Sequence, residues 1–262
     1  MKIPILNFVI MTIISSMLTA KGALQTRTVD YSQGGQDLQG FLAYDDAFKG
    51  PRPGILVVHQ WLGLTAYEKR RAEMLAQLGY VAFCADIYGV DKRPHDVGEA
   101  AAISSRFKSD RNLLRARVNA GLEVLRQQTN VDTQKLAAIG YCFGGTTVIE
   151  LARSGADIAG VVSFHGGLDS PTPSDGRNIR CKVLALAGAD DPFQNANDLE
   201  AFENEMRNAG VDWQITFYGG AVHAFTQPDP GFVHAGVKYN EKADHRSWQA
   251  MKDFFAELFP GQ

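Results

Sequence analysis

Two hydrophobic patterns alternate along this chain. Short continuous apolar runs recur at Gly54-Ile55-Leu56-Val57-Val58-His59, at residues 81–85, at Leu136-Ala137-Ala138-Ile139 and at residues 158–164. Runs of this length and continuity are the mark of strands buried on both faces of a parallel sheet. Between them lie stretches with apolar residues at helical spacing. Residues 67–78 form one, closed by Gly79 as a C-cap; residues 97–128 are long enough for two; residues 146–152 form another. A strand over 183–189, a helix over 196–208 with Gly210 just past it, a strand over 213–218 and an amphipathic helix over 244–258 complete the series. Upstream, residues 26–32 and 38–44 alternate polar and apolar around Gly34-Gly35, the pattern of a β-hairpin. The chain is therefore expected to be α/β: a mostly parallel central sheet, helices on both faces and an N-terminal β-hairpin. No repeat, low-complexity tract or charge block marks a linker, so residues 24–262 are expected to be one domain.

The first residues follow neither pattern. Met1-Lys2 precedes a mostly apolar run over 3–18 that ends in Thr19-Ala20. A short positive start, an apolar centre and a small terminal residue describe a secretory signal peptide over residues 1–20. The run is short for a membrane span, which needs about 20 apolar residues. A periplasmic or secreted protein is the expectation. In an oxidising compartment, three cysteines leave at least one free. Cys84 falls inside an apolar run and Cys181 at a strand start, and two separate strands rarely meet disulfide geometry, so no bridge between them is expected.

The chemistry concentrates after residue 139. Gly140-Tyr141-Cys142-Phe143-Gly144 lies between an apolar strand and a helical run. Strand, Gly-x-nucleophile-x-Gly, helix is the nucleophile elbow, a sharp turn that lifts one side chain above an α/β sheet. With Cys142 at its centre, the implied chemistry is acyl transfer through a thiolate. Two later strands each run into a polar residue of the right kind: residues 183–189 into Asp190, and residues 213–218 through Gly219-Gly220 to His223. The order nucleophile, acid, histidine is that of α/β-hydrolases. His223 is expected to take the thiol proton and Asp190 to orient the imidazole. The backbone N–H groups of Phe143 and of Trp61, in the loop after the 55–59 strand, are the candidate oxyanion donors. Asp191, before Pro192, reads as a turn or cap residue. His59 and His165 end strands and read as hydrogen-bonded core histidines. No two histidines have metal-ligand spacing on one element, so no metal is expected. The net charge of −3 gives no electrostatic case for a nucleic-acid or anionic-membrane partner.

Several motifs together resemble the dienelactone hydrolase family. They are Gly140-Tyr141-Cys142-Phe143-Gly144-Gly145, Gly188-Ala189-Asp190-Asp191-Pro192-Phe193, His223-Ala224-Phe225, Cys84-Ala85-Asp86-Ile87-Tyr88-Gly89, the tail segment Gly236-Val237-Lys238-Tyr239-Asn240, and Arg246-Ser247-Trp248. The resemblance covers nearly everything from about residue 26 onward. It implies a monomeric α/β-hydrolase with a Cys-Asp-His triad that opens lactone or ester bonds without a cofactor. Two positions depart from the family pattern. Gln60 stands where a glutamate beside the oxyanion loop is usual, and it cannot take a proton. Gln227 stands where an arginine often holds the substrate carboxylate; Arg106 or Arg111 could compensate. Gln60, Gln227 and Arg106 are thus the candidate substrate contacts. A neutral ester, lactone or thioester is a plausible substrate, with a thioesterase, an acyltransferase or a ligand-binding scaffold as the competing readings.

Overall fold

Eight strands form a single sheet in the order β1-β2-β4-β3-β5-β6-β7-β8. In chain order the elements are β1 (Leu24–Gln33), β2 (Gln36–Asp45), β3 (Arg52–Val58), α1 (Ala66–Gln77), β4 (Val81–Ala85), α2 (Val97–Ser109), α3 (Arg111–Arg126), β5 (Val131–Tyr141), α4 (Phe143–Arg153), β6 (Gly160–Phe164), β7 (Lys182–Gly188), α5 (Ala196–Ala209), β8 (Trp213–Tyr218) and α6 (Glu241–Leu258). The computed structural model describes residues 22–232 and 234–261, so the leader expected over residues 1–20 lies outside the described residues. Among the described residues no helix is long and apolar enough to cross a membrane.

The hairpin forms as its sequence dictates. Gly34 and Gly35 take φ of 59° and 76°, left-handed values that a two-residue turn matching the twist of its strands requires. β2 then pairs antiparallel with β4, and every other neighbour from β4 to β8 is parallel. Parallel strands need crossovers, and the helices supply them. The crossover through α1 carries the chain from β3 to β4 on one side, whereas α2 and α3 bring it back past β3 to β5 on the other. That reversal opens a crevice beyond the carboxyl ends of β3 and β5, the place where open α/β sheets hold their sites.

In the middle of the sheet, from β4 to β7, both faces are covered. On β3, Leu56 and Val58 pack under α3 and α4 with Leu114, Val118, Leu122, Val148 and Ile149. Ile55 and Val57 point the other way, against Ala72 and Leu75 of α1 and Met251 and Phe255 of α6. This explains why β3 reads as continuous rather than alternating. Cys84 belongs to the second layer and Cys181 to the first, so the sheet separates them, and both are free thiols. Several boundaries differ from expectation, β5 and α6 among them. β5 starts at Val131, because Asp132, Thr133, Gln134 and Lys135 continue the strand as a polar extension past a register shift at Pro53/Gly54. α6 starts at Glu241, capped by Asn240, whose side chain accepts from the Ala243 N–H.

One polar cluster lies inside the layer under α4. Arg153 is fully buried; Nε and Nη2 bind the two oxygens of Glu205 at 3.0 and 2.6 Å, and Nη1 binds Glu150 at 2.8 Å. Its remaining N–H groups hold the carbonyls of Leu168 and Asp169, ordering the loop after β6. Removing the guanidinium strands the buried Glu205 carboxylate, while Glu150 keeps Arg111 and Arg115, so Arg153→Leu is expected to cost about 3–5 kcal/mol in urea denaturation. A loss below about 1 kcal/mol would contradict this account of the cluster.

Candidate active site

β5 delivers the chain to Cys142 at the top of the sheet, and α4 starts one residue later. Cys142 has φ 53° and ψ −113°, outside the regions a side-chain-bearing residue prefers. The flanking glycines are required by contact, not by their own dihedrals. A Cβ on Gly140 would lie 2.0 Å from the Gly144 carbonyl oxygen, and one on Gly144 would lie 2.2 Å from the Val58 carbonyl oxygen. α4 can start here only because its first turn touches the backbone of β3 and β5.

The turn brings three side chains from three strand ends together. Cys142 Sγ lies 3.0 Å from His223 Nε2, and His223 Nδ1 lies 2.8 Å from Asp191 Oδ2. The acid facing the histidine is therefore Asp191, not Asp190. Beyond β7 the chain stays paired for two more residues: Ala189 N–H donates to the Tyr218 carbonyl and Asp190 N–H to the Ala221 carbonyl. Asp190 consequently projects to solvent, and the next residue turns inward and is buried. Asp191 also fills the turn role expected of it, since its Oδ1 accepts from the Phe193 N–H at 2.9 Å. One oxygen fixes the loop while the other holds the imidazole.

The electrostatics follow from these contacts. Burial alone would push the Cys142 thiol up, but the His223 ring by charge and hydrogen bond, the Phe143 N–H and the Lys108 charge outweigh it and leave the thiol below its ordinary value. Burial would likewise discharge His223; the Cys142 sulfur and Asp191 reverse this and push the imidazole up to about 10. These contacts favour the thiolate and imidazolium forms of the pair.

A cavity of about 480 Å³ opens over the sulfur. Trp61, Phe143, Phe193 and Phe232 give it an aromatic wall, with Trp61 and Phe232 edge to face at 5.0 Å. The turn after β3 uses the Leu62 N–H on Gln60 Oε1 and the Gly63 N–H on the Gln60 carbonyl, which leaves the Trp61 N–H without an internal partner among the described residues. Gln227 is buried and lines the cavity as expected. The other two expected substrate contacts do not. Gln60 is buried outside the lining, its side chain spent on its own turn. Arg106 sits on the exposed side of α2, and Arg111 is ion-paired with Asp169 and Glu150. The lysine or arginine that does line the cavity is Lys108, from the α2 face that also carries Ala101, Ser104 and Ser105. That i, i+3, i+4, i+7 spacing was readable in the sequence, but nothing there showed which face of α2 turns inward. His165 also lines the cavity, behind Cys142. No cluster of three His, Cys, Asp or Glu residues able to hold a metal ion occurs among the described residues.

Comparison with known proteins gives the family and the fold. The sequence model of the Dienelactone hydrolase family matches residues 38–259. The solved structure of m3DLH superposes with a TM-score of 0.87 at 40% identity, covering 91% of this chain and 100% of that one. A dienelactone hydrolase-like promiscuous phosphotriesterase from metagenomic libraries superposes with a TM-score of 0.87 at 41% identity, covering 90% and 99%. A Bradyrhizobium sp protein named "Probable 2-oxo-3-(5-oxofuran-2-ylidene)propanoate lactonase" is 28% identical over 216 residues, 78% of this chain and 86% of its own. With a family match over most of its length and an α/β-hydrolase sheet carrying a cysteine elbow, the chain belongs to the dienelactone hydrolase family and is a hydrolase acting on lactone or ester bonds.

Proposed function

We propose that the protein cleaves carboxylic esters or lactones through a thioester on Cys142, with His223 as acid and base and Asp191 as the group that orients His223. The observation that carries this reading is the chain Sγ to Nε2 at 3.0 Å and Nδ1 to Oδ2 at 2.8 Å, set at a strained elbow under an apolar cavity. In the first half-reaction the thiolate attacks the carbonyl carbon, and the oxyanion receives the Phe143 and Trp61 N–H groups. As the tetrahedral species collapses, His223 Nε2–H protonates the departing alcohol oxygen, which in a lactone stays tethered to the acyl group. In the second half-reaction His223 removes a proton from water, whose oxygen attacks the thioester; the acid leaves and the thiolate returns. Asp191 stabilises the imidazolium throughout and keeps the Nδ1–H tautomer.

The lining supports an uncharged substrate with an apolar or aromatic group. Four aromatic side chains line the cavity, Gln227 offers an amide where an arginine would attract a carboxylate, Asp169 is neutralised by Arg111, and the Lys108 charge is offset by that of Asp198. Because one relative is described as a promiscuous phosphotriesterase, aryl phosphotriesters are the second class to assay.

Cys142→Ala is expected to abolish turnover of aryl esters, and Asp191→Asn to lower kcat by about 10²–10⁴. Asp190→Asn should stay within about twofold, as befits an exposed residue. Equal losses at positions 190 and 191 in steady-state assays would refute the assignment of Asp191. The pH dependence of Cys142 alkylation is a separate check. The thiolate exists above the lowered thiol pKa and is lost as pH falls through it, so the iodoacetamide midpoint should lie below the ordinary thiol midpoint of about 8.5. In His223→Ala burial is opposed only by Phe143 and Lys108, and the midpoint should rise. A wild-type midpoint at the ordinary value, unmoved by His223→Ala, would exclude the ion pair.

A further inference from the structure

Among the described residues, three that are not glycine have positive φ: Cys142 at 53°, His165 at 41° and Ala224 at 56°. All three line the same cavity. Cys142 carries the nucleophile and Ala224 follows the base, so two of the three strained positions belong to the reacting groups. His165 is the member without a role in the reaction described above. Strain of this kind persists only where the surroundings over-determine it.

The surroundings of His165 do so. Its Nδ1 lies 3.1 Å from the backbone nitrogen of Cys142, which also donates to the Phe164 carbonyl at 2.9 Å. Nδ1 must therefore carry a lone pair, and the ring proton is on Nε2. Nε2 donates to Thr226 Oγ at 2.8 Å, and that oxygen exchanges a second hydrogen bond with the Tyr67 hydroxyl at 2.7 Å. Tyr67 accepts from Arg71 Nε at 3.2 Å, and Arg71 is ion-paired with Asp244 at 2.6 Å. Thr226 is fully buried, and His165 nearly so. A buried line of contacts thus runs from the α1–α6 ion pair to the nucleophile's own main chain.

We propose that His165 is the positioning residue of the nucleophile: a permanently neutral imidazole that holds the Cys142 N–H, and with it the aim of the sulfur at His223. This rests on the reading of Cys142 as nucleophile. Neutrality matters because the His165 and His223 rings lie 5.2 Å apart. A second imidazolium there would repel the one that stabilises the thiolate. The ionisable groups around the ring are Cys142 and His223 on the cavity side, and Tyr67, Tyr141 and the Arg71–Asp244 pair behind it. Protonation of Nδ1 would also set two N–H groups against each other across 3.1 Å. Burial is the main cause that drives the His165 pKa well below its ordinary value, with the His223 charge adding to it.

The test separates strain from hydrogen bonding. Glycine at 165 accepts the positive φ but has no ring; asparagine tolerates that φ and places Oδ1 near the former Nδ1. His165→Gly should lower kcat about tenfold on an aryl ester with KM nearly unchanged, and should move the alkylation midpoint of Cys142 upward. His165→Asn should restore most of both. Unaltered kcat and midpoint in folded His165→Gly, or no rescue by asparagine, would overturn the proposal. If the glycine variant does not fold, Thr226→Val and ring ¹⁵N spectra decide. Thr226→Val should shift the midpoint in the same direction. Wild-type His165 should show one Nε2–H tautomer that does not titrate between about pH 5 and 9. A titrating His165, or a silent Thr226→Val, would overturn the proposal as well. Loss of turnover in Cys142→Ala with no effect at 165 would leave the hydrolase reading intact and remove only this one.

Discussion

The site depends on one steric contact: the first turn of α4 lying directly on the backbone of β3 and β5. Gly140 and Gly144 make it possible, since any β-carbon at either position would fall within 2.0–2.2 Å of a carbonyl oxygen. With α4 seated this close, Cys142 is forced into positive φ, its sulfur rises above the strand ends, and the Phe143 N–H is turned toward it. The strain, of the order of 1–3 kcal/mol per residue, is carried by a sheet with a dry layer on each face and by the Arg153 cluster that pins the neighbouring loop.

Charge is then settled by proximity. In these partly buried positions a lone thiol and a lone imidazole would each be disfavoured as ions; 3.0 Å apart, each favours the other's charged form. Asp191 extends the pair to a third group, and His165 borders it without adding charge. The Gln60 side chain is spent on the Leu62 N–H, so what lowers the Cys142 pKa is His223, Phe143 and Lys108.

Much of this was legible in the sequence. Continuous apolar runs identified the buried strands, Gly34-Gly35 the hairpin, and Gly140 to Gly144 the elbow, because each states a local backbone requirement in residue types. What failed was detail set by tertiary pairing. Which of two adjacent aspartates faces His223 depends on how far β7 stays paired beyond Gly188, and that is decided by β8, not by the residues themselves. Likewise, Lys108 rather than Arg106 faces the cavity because of the rotation of α2 about its axis. Gln60 was misjudged for a related reason, and His165, buried and hydrogen-bonded as expected, did not disclose its partners. A buried polar side chain shows its purpose only through its partners, and those partners are far away in sequence or on the main chain.

The most direct test of the central claim is acid-quenched intact-mass analysis during turnover of an aryl ester, followed by peptide mapping. The account predicts a transient mass increase equal to the acyl group, carried by the peptide containing Cys142 and released by hydroxylamine. Full turnover with no acyl adduct on Cys142 under any quench time, or an adduct on another residue, would contradict it.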